Sequence, residues 1–313
     1  MLDPRAKRFL DTLAAMNPPN ALSLTVGARR EALAHLLDFA GPAEAVASIE
    51  ERSLPGPTGP LTLRSYTPAG RGGAEQLPGL IYLHGGGLVA GTLETHDPIA
   101  RALANASGCR VLALAYRLGP EHPFPAALED ACAASVWIAT HAALLSVDAR
   151  RLGIAGDSAG ATLAAVVTQW AVASARVRFA FQFLLCPIMD FAAESDSRRA
   201  LAEGYLVDRA TLQHDLKHYL AAGGDAADPR VSPLRAADLR GLPATLVHTA
   251  EFDPLRDEGR AYATRLEAAG VRTLYRCHPG MIHLFYGMRG LIPYAGEAYR
   301  LMGEDLRGLL AAS

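Results

Sequence analysis

The sequence has no cysteine pair, no surplus of charge of either sign and no apolar run long enough to cross a bilayer. Its four cysteines, Cys109, Cys132, Cys186 and Cys277, are scattered among apolar neighbours and never form C-x-x-C. That spacing argues against a disulfide-stapled scaffold or a zinc ribbon and leaves reduced, packed thiols, with no metal expected. Lys and Arg number 30 against 32 Asp and Glu, for a net charge of -2. Without a basic excess to neutralise a phosphate backbone, nucleic acid is not an expected partner. The opening MLDPRAKRFLDTLAAM carries Asp3, Arg5, Lys7, Arg8 and Asp11, which interrupt the apolar region a secretory signal needs. The longest apolar stretches, such as Phe179 to Ile188, are too short to span a membrane. No membrane span and a cytoplasmic location are therefore expected.

What is present is core-forming material. Of 313 residues, 50% are hydrophobic, enough for a sizeable interior and incompatible with a disordered chain. Short, nearly continuous apolar runs recur at Gly79 to Leu83, Arg110 to Tyr116, Leu152 to Ala155, Ala180 to Cys186 and Ala244 to Thr249, while Leu61 to Thr67 and Arg272 to Cys277 alternate more. Helical patterns lie between them at His96 to Ala106, Ala126 to His141, Ala159 to Ala173 and Asp257 to Ala269. Strands apolar on both faces, alternating with helices, predict an α/β fold with a mostly parallel, doubly wound sheet. Two regions break the alternation: residues 1 to about 47, read as two amphipathic helices split by Asn17-Pro18-Pro19-Asn20, and about 189 to 229, with a helical pattern over Ala210 to Ala222. Both are expected as helical additions over the carboxyl edge of the sheet, where open α/β sheets bind ligands. The segment Pro68 to Pro78 reads as an exposed hairpin loop.

The chemistry concentrates in four places. Gly156-Asp157-Ser158-Ala159-Gly160 follows an apolar strand and precedes an Ala-rich helix. This is the G-x-S-x-G turn that lifts a serine Oγ from a sheet edge, with glycines where strand and helix cross most closely. A phosphate loop would need more glycines or a lysine after the last one, which Ala161-Thr162 does not supply. His84-Gly85-Gly86-Gly87 follows another strand; a glycine run lets backbone N–H groups face a developing oxyanion. Gly86 and Gly87, joined by the amide of Ala159, are the expected donors, and His84 is expected to anchor the loop rather than to move protons. The acid should follow the serine and precede the histidine. Asp253, on the turn after the strand Thr245 to Thr249, is favoured over its rival Asp190, and Asp257 and Glu258 read as ordinary first-turn acids. His283, beyond Gly280, is favoured as base over His278, which still belongs to the strand end. In Pro120-Glu121-His122-Pro123, Glu121 is expected to pair with a cation in a rigid turn.

These motifs in this order, His84 to Gly87, Tyr116 to Asp130 (YRLGPEHPFPAALED), Gly156 to Gly160, Asp253 to Glu258 and Ile282 to Phe285, resemble the bacterial branch of the hormone-sensitive lipase family of α/β-hydrolases. The resemblance covers nearly the whole chain. It implies an α/β-hydrolase fold, one domain over residues 1–313 with a cap from about 1–47 and about 189–229, and a carboxylesterase acting through Ser158, Asp253 and His283. It implies small-molecule ester substrates of short-to-medium acyl length, no cofactor, and a homodimer paired through the last strand and the C-terminal helix. An amidase or arylformamidase would use the same triad. A non-catalytic receptor of the same fold is disfavoured because His283 is present. Leu88, Gly119, Ala161-Thr162 and Leu284 depart from the usual family residues; these positions border the pocket and bear on substrate range.

Overall fold

The computed structural model describes residues 1–311. Its eight strands form a single sheet in the order β1-β2-β4-β3-β5-β6-β7-β8. In chain order they are β1 (Ser48–Pro55), β2 (Pro60–Thr67), β3 (Leu77–Leu83), β4 (Arg110–Ala115), β5 (Val147–Asp157), β6 (Phe181–Leu185), β7 (Ala244–Phe252) and β8 (Thr273–Ile282). Strand β2 is antiparallel to both its neighbours, and every other pairing is parallel. The helices are α1 (Pro4–Ala15), α2 (Val26–Leu37), α3 (Asp97–Ser107), α4 (Ala126–Thr140), α5 (Ala159–Ser174), α6 (Asp196–Ala200), α7 (Arg209–Tyr219), α8 (Arg256–Ala268) and α9 (Tyr294–Leu310). This is the α/β-hydrolase fold.

Side-chain alternation on the strands sorts the core into two layers. On β3, Leu80 and Tyr82 join a cluster containing α3 and α9 residues such as Leu103 and Met302. Ile81 and Leu83 face the other way, into a cluster with Ala134 of α4, Leu163 of α5 and Leu266 of α8. Successive residues of a strand point to opposite faces, so a strand covered on both sides must be apolar throughout. That is why β3, β4, β6 and the Leu152 to Ala155 part of β5 read as nearly continuous apolar runs.

Two features differ from the sequence reading. Strand β1 is an added edge strand; its residues are mostly exposed, and its charges protect the edge rather than record a buried face. The segment after β2 is exposed as expected but is not a hairpin. Strands β2 and β3 are separated by β4, so the chain crosses over that strand instead of turning back.

The parallel strands deliver their carboxyl ends to one edge. Helices α2 and α7 meet there: Arg29 of α2 donates to Asp215 of α7 through Nε (3.1 Å) and Nη2 (2.8 Å). Helix α7 stops at Tyr219, before the end of its sequence pattern. Among the described residues no helix is long and apolar enough to cross a membrane.

Candidate active site

Ser158 sits between β5 and α5 with φ 52° and ψ −124°. An L-residue there costs about 1–3 kcal/mol and persists only where its surroundings hold it. They do so tightly. The Ser158 amide donates to Leu185 O at 2.8 Å. A Cβ on Gly156 would run into the backbone of Gly160, and one on Gly160 into the carbonyls of Leu83 and His84. Sheet and helix approach so closely that glycine is obligatory at both ends of the turn.

A hydrogen-bonded chain leads away from the serine. Ser158 Oγ lies 3.1 Å from His283 Nε2, and His283 Nδ1 lies 2.8 Å from Asp253 Oδ2. Asp253 is fully buried after β7, and its Oδ1 accepts the Leu255 amide at 2.8 Å. His283 follows the last residue of β8. Burial opposes a charged imidazole, but the charge and hydrogen bond of Asp253, helped by Asp157, outweigh it and raise the His283 pKa above 6.5. His278 behaves oppositely. Burial and its neighbour His248 push it down to about 3, and its ring contacts are His248 Nδ1 (3.1 Å) and Tyr294 OH (3.2 Å). Asp190, the rival acid, accepts Arg235 Nε at 2.9 Å and the amides of Ala192 and Ala193.

The glycine run follows β3. Gly86, Gly87 and Leu88 have φ of 115°, 69° and 63°, a left-handed series that glycine adopts cheaply and leucine does not. Among the described residues, no protein acceptor takes the amides of Gly86, Gly87 or Ala159. His84 is anchored by a 2.8 Å contact from Nδ1 to Gly85 O, while Tyr116 OH donates to His84 O at 2.6 Å. Burial drives its pKa down to about 3, so it is a neutral anchor. Glu121 pairs with Arg30 through two bonds of 2.8 and 2.6 Å.

Three groups at the site were not legible as site residues. Asp157, fully buried beneath the glycine run, accepts Tyr82 OH (2.6 Å) and the Gly85 amide (2.9 Å) on Oδ1, and Tyr286 OH (3.1 Å) on Oδ2. Its only sequence signal was its place inside the serine pentapeptide. Cys186, at the end of β6 with φ 46°, brings Sγ within 4.8 Å of a carboxylate oxygen of Asp253 and a ring nitrogen of His283. Those three atoms are metal-ligand types, yet two of them are already joined in the hydrogen-bonded chain. Burial, with Asp253 beside it, pushes the Cys186 thiol up, which keeps it protonated. Cys109 is likewise buried, whereas Cys132 and Cys277 are partly exposed. Glu258 corrects the reading of an ordinary first-turn acid. It is buried and accepts the amides of Met189 and Asp190, both at 2.7 Å, and Arg198 Nε at 2.8 Å. Asp257 accepts the Ser197 amide at 2.7 Å. These two acids fasten the 189–200 segment to α8.

Residues 80–287 match a family model described as the alpha/beta hydrolase fold. The carboxylic ester hydrolase LipN of Mycobacterium tuberculosis is 42% identical over 77% of this chain, which spans 65% of that protein's length. The ethyl acetate hydrolase of Pseudomonas putida is 35% identical, over 86% of this chain and 85% of the relative. Among solved structures, the ester hydrolase EH1AB1 from the metagenome of Lake Arreo, complexed with a bipyridine phosphonate derivative, superposes with a TM-score of 0.95 at 39% identity. That superposition covers 99% of this chain and 100% of the other. Fold, motifs and relatives together place the chain in the α/β-hydrolase family, in its hormone-sensitive lipase branch of carboxylic ester hydrolases.

Proposed function

We propose that the chain is a serine carboxylesterase for short-to-medium acyl esters, with Ser158 as nucleophile, His283 as base, Asp253 as the orienting acid and the amides of Gly86, Gly87 and Ala159 as oxyanion donors. The observation that carries this reading is the bridging position of His283, 3.1 Å from Ser158 Oγ on one side and 2.8 Å from Asp253 on the other.

In the first half-reaction His283 Nε2 takes the Ser158 proton as Oγ attacks the ester carbonyl. Asp253 holds the ring with Nδ1 protonated and stabilises the imidazolium that forms. The carbonyl oxygen becomes an oxyanion among amides that are free and already directed, a contribution of several kcal/mol. His283 then gives its proton to the departing alcohol oxygen, leaving the acyl group on Oγ. In the second half-reaction water loses a proton to His283 and attacks the acyl carbon, and Ser158 Oγ leaves with that proton. The cycle balances with side chains and water alone.

Residues 1–47 and 189–229 act in this reading as a cap over a single domain, limiting the acyl chain that fits. The name of the Pseudomonas putida relative supports a small acyl group. Hydrolysis of p-nitrophenyl esters from acetate upward should be fastest for short chains and abolished in Ser158→Ala. Turnover unchanged in that variant, or absent at every chain length in the native protein, would refute the proposal.

A further inference from the structure

The glycine run and the residues just after it are also held by side chains of α2. Arg30 donates from Nε to Val89 O at 2.9 Å and from Nη2 to Gly119 O at 3.1 Å, while Glu121 holds the same guanidinium. The Gly119 amide in turn donates to Leu88 O at 2.9 Å. Leu33, one helical turn on, packs so close to Gly86 that a Cβ there would touch its methyl group. Arg29 acts through α7. It binds Asp215, whose carboxylate presses on Gly87 where any side chain would collide with it. His214 Nδ1 lies 3.0 Å from Asp215 Oδ1, and its Nε2 lies 3.2 Å from Leu24 O, tying α7 back to the segment before α2.

A carboxylate against this loop poses an electrostatic problem. An unneutralised negative charge beside amides that must receive an oxyanion would oppose the transition state. The Arg29 and Asp215 side chains are 12% and 5% exposed, so solvent offers little screening, and Arg29 supplies the compensating charge. A run with three successive positive φ values also needs outside support to keep one shape, because glycine gives it many alternatives.

We infer that Arg29 and Arg30 are positioning residues for the oxyanion loop: Arg30 fixes the carbonyls on its downstream side, and Arg29 neutralises Asp215 and holds it against Gly87. This rests on the reading of Gly86 and Gly87 as oxyanion donors. Neither arginine touches substrate; each acts through the loop.

The test separates positioning from a role in stability alone. Phenylboronic acid forms a tetrahedral adduct on a serine Oγ and places an oxygen among the oxyanion donors. Arg29→Met strands the buried Asp215 charge. It should lower kcat and boronate affinity together, about 10- to 100-fold, with KM within about threefold of the native value. Arg29→Met/Asp215→Asn removes both charges and should recover most of that loss. Arg30→Lys keeps the cation but cannot reproduce the fork, and should show a smaller parallel loss. It also carries the test if Arg29→Met does not accumulate as folded protein. Unchanged kcat and boronate affinity in these variants, or a loss undiminished in the double variant, would overturn the inference. Native protein that hydrolyses esters but fails to bind the boronate would overturn the donor assignment beneath it.

Discussion

The Asp157 carboxylate accepts the Gly85 amide at 2.9 Å, so the residue before Ser158 holds the first glycine of the run that follows β3. The bond joins the end of β5 to the end of β3. It sets the two halves of the proposed site, Ser158 and the glycine run, in one frame. Tyr82 and Tyr286 complete the cradle from below, each hydroxyl donating its hydrogen bond to a buried carboxylate.

Asp157→Asn tests that frame. The amide oxygen can still accept from Gly85, but hydrogen bonds to a charged acceptor exceed neutral ones by about 1 kcal/mol each, and three are weakened. Burial pushes the Asp157 pKa up in spite of those bonds, and asparagine removes that desolvated charge, so the two effects oppose each other and stability in urea unfolding should change by no more than about 1 kcal/mol. The pH profile carries a second signature. Asp157 helps raise the His283 pKa, and the base must be neutral to act, so native activity should rise through a pKa above 6.5. Removing the negative charge disfavours the imidazolium, and the acidic limb of kcat/KM should move to lower pH. A limb that stays in place or moves upward would contradict the assigned electrostatics.

Asp253→Asn and Asp190→Asn should separate sharply. In Asp253→Asn the carbonyl keeps the Leu255 amide and the NH2 faces His283. The ring must then carry its proton on Nε2, where it cannot accept one from Ser158. A kcat loss of about 10³–10⁴ with the fold retained is expected. Asp190 serves Arg235 and a local turn, so its variant should lose about 1–3 kcal/mol of stability and keep its kcat. The reverse pattern, read in the same ester assay, would reassign the acid.

Gly160→Ala examines the crossing of α5 over β3. Its methyl group would enter the carbonyls of Leu83 and His84, which cannot move without shifting the glycine loop. Overpacking of this kind costs about 1–3 kcal/mol, and kcat should fall with it. An alanine variant of native stability and activity would mean that the elbow is looser than the geometry indicates.

What could be read from sequence was what backbone geometry forces locally. Gly156 and Gly160 exist because a Cβ has no room, and Gly86 and Gly87 have positive φ, so both left glycine patterns. Order along the chain then pointed to Asp253 and His283. Edge strand β1 was illegible because an exposed strand need not alternate. The crossover after β2 was misread because strand order is a long-range property that no local turn encodes. The deeper support was hidden for the same reason: Asp157 and Gly85 are 72 residues apart, and Arg29 and Asp215 are 186. Buried acids such as Glu258 and Asp215 look like surface charges until the partner strand or helix is placed.

Leu284, next to His283, has φ 61° and is 5% exposed. Two effects compete at this position. The left-handed backbone costs a non-glycine residue about 1–2 kcal/mol, which glycine would recover. Burial of the leucine side chain contributes about 2–3 kcal/mol, and the cavity left behind adds to the loss. Packing outweighs the backbone strain, so Leu284→Gly should be less stable than the native protein, by about 1–2 kcal/mol in urea unfolding. Leu284→Ala loses nearly the same packing and keeps the strained φ. The glycine variant should therefore be the more stable of the two by about 1 kcal/mol, an inversion of the usual order in which alanine exceeds glycine. Equal stability, or alanine ahead, would show that the left-handed turn after His283 carries no strain.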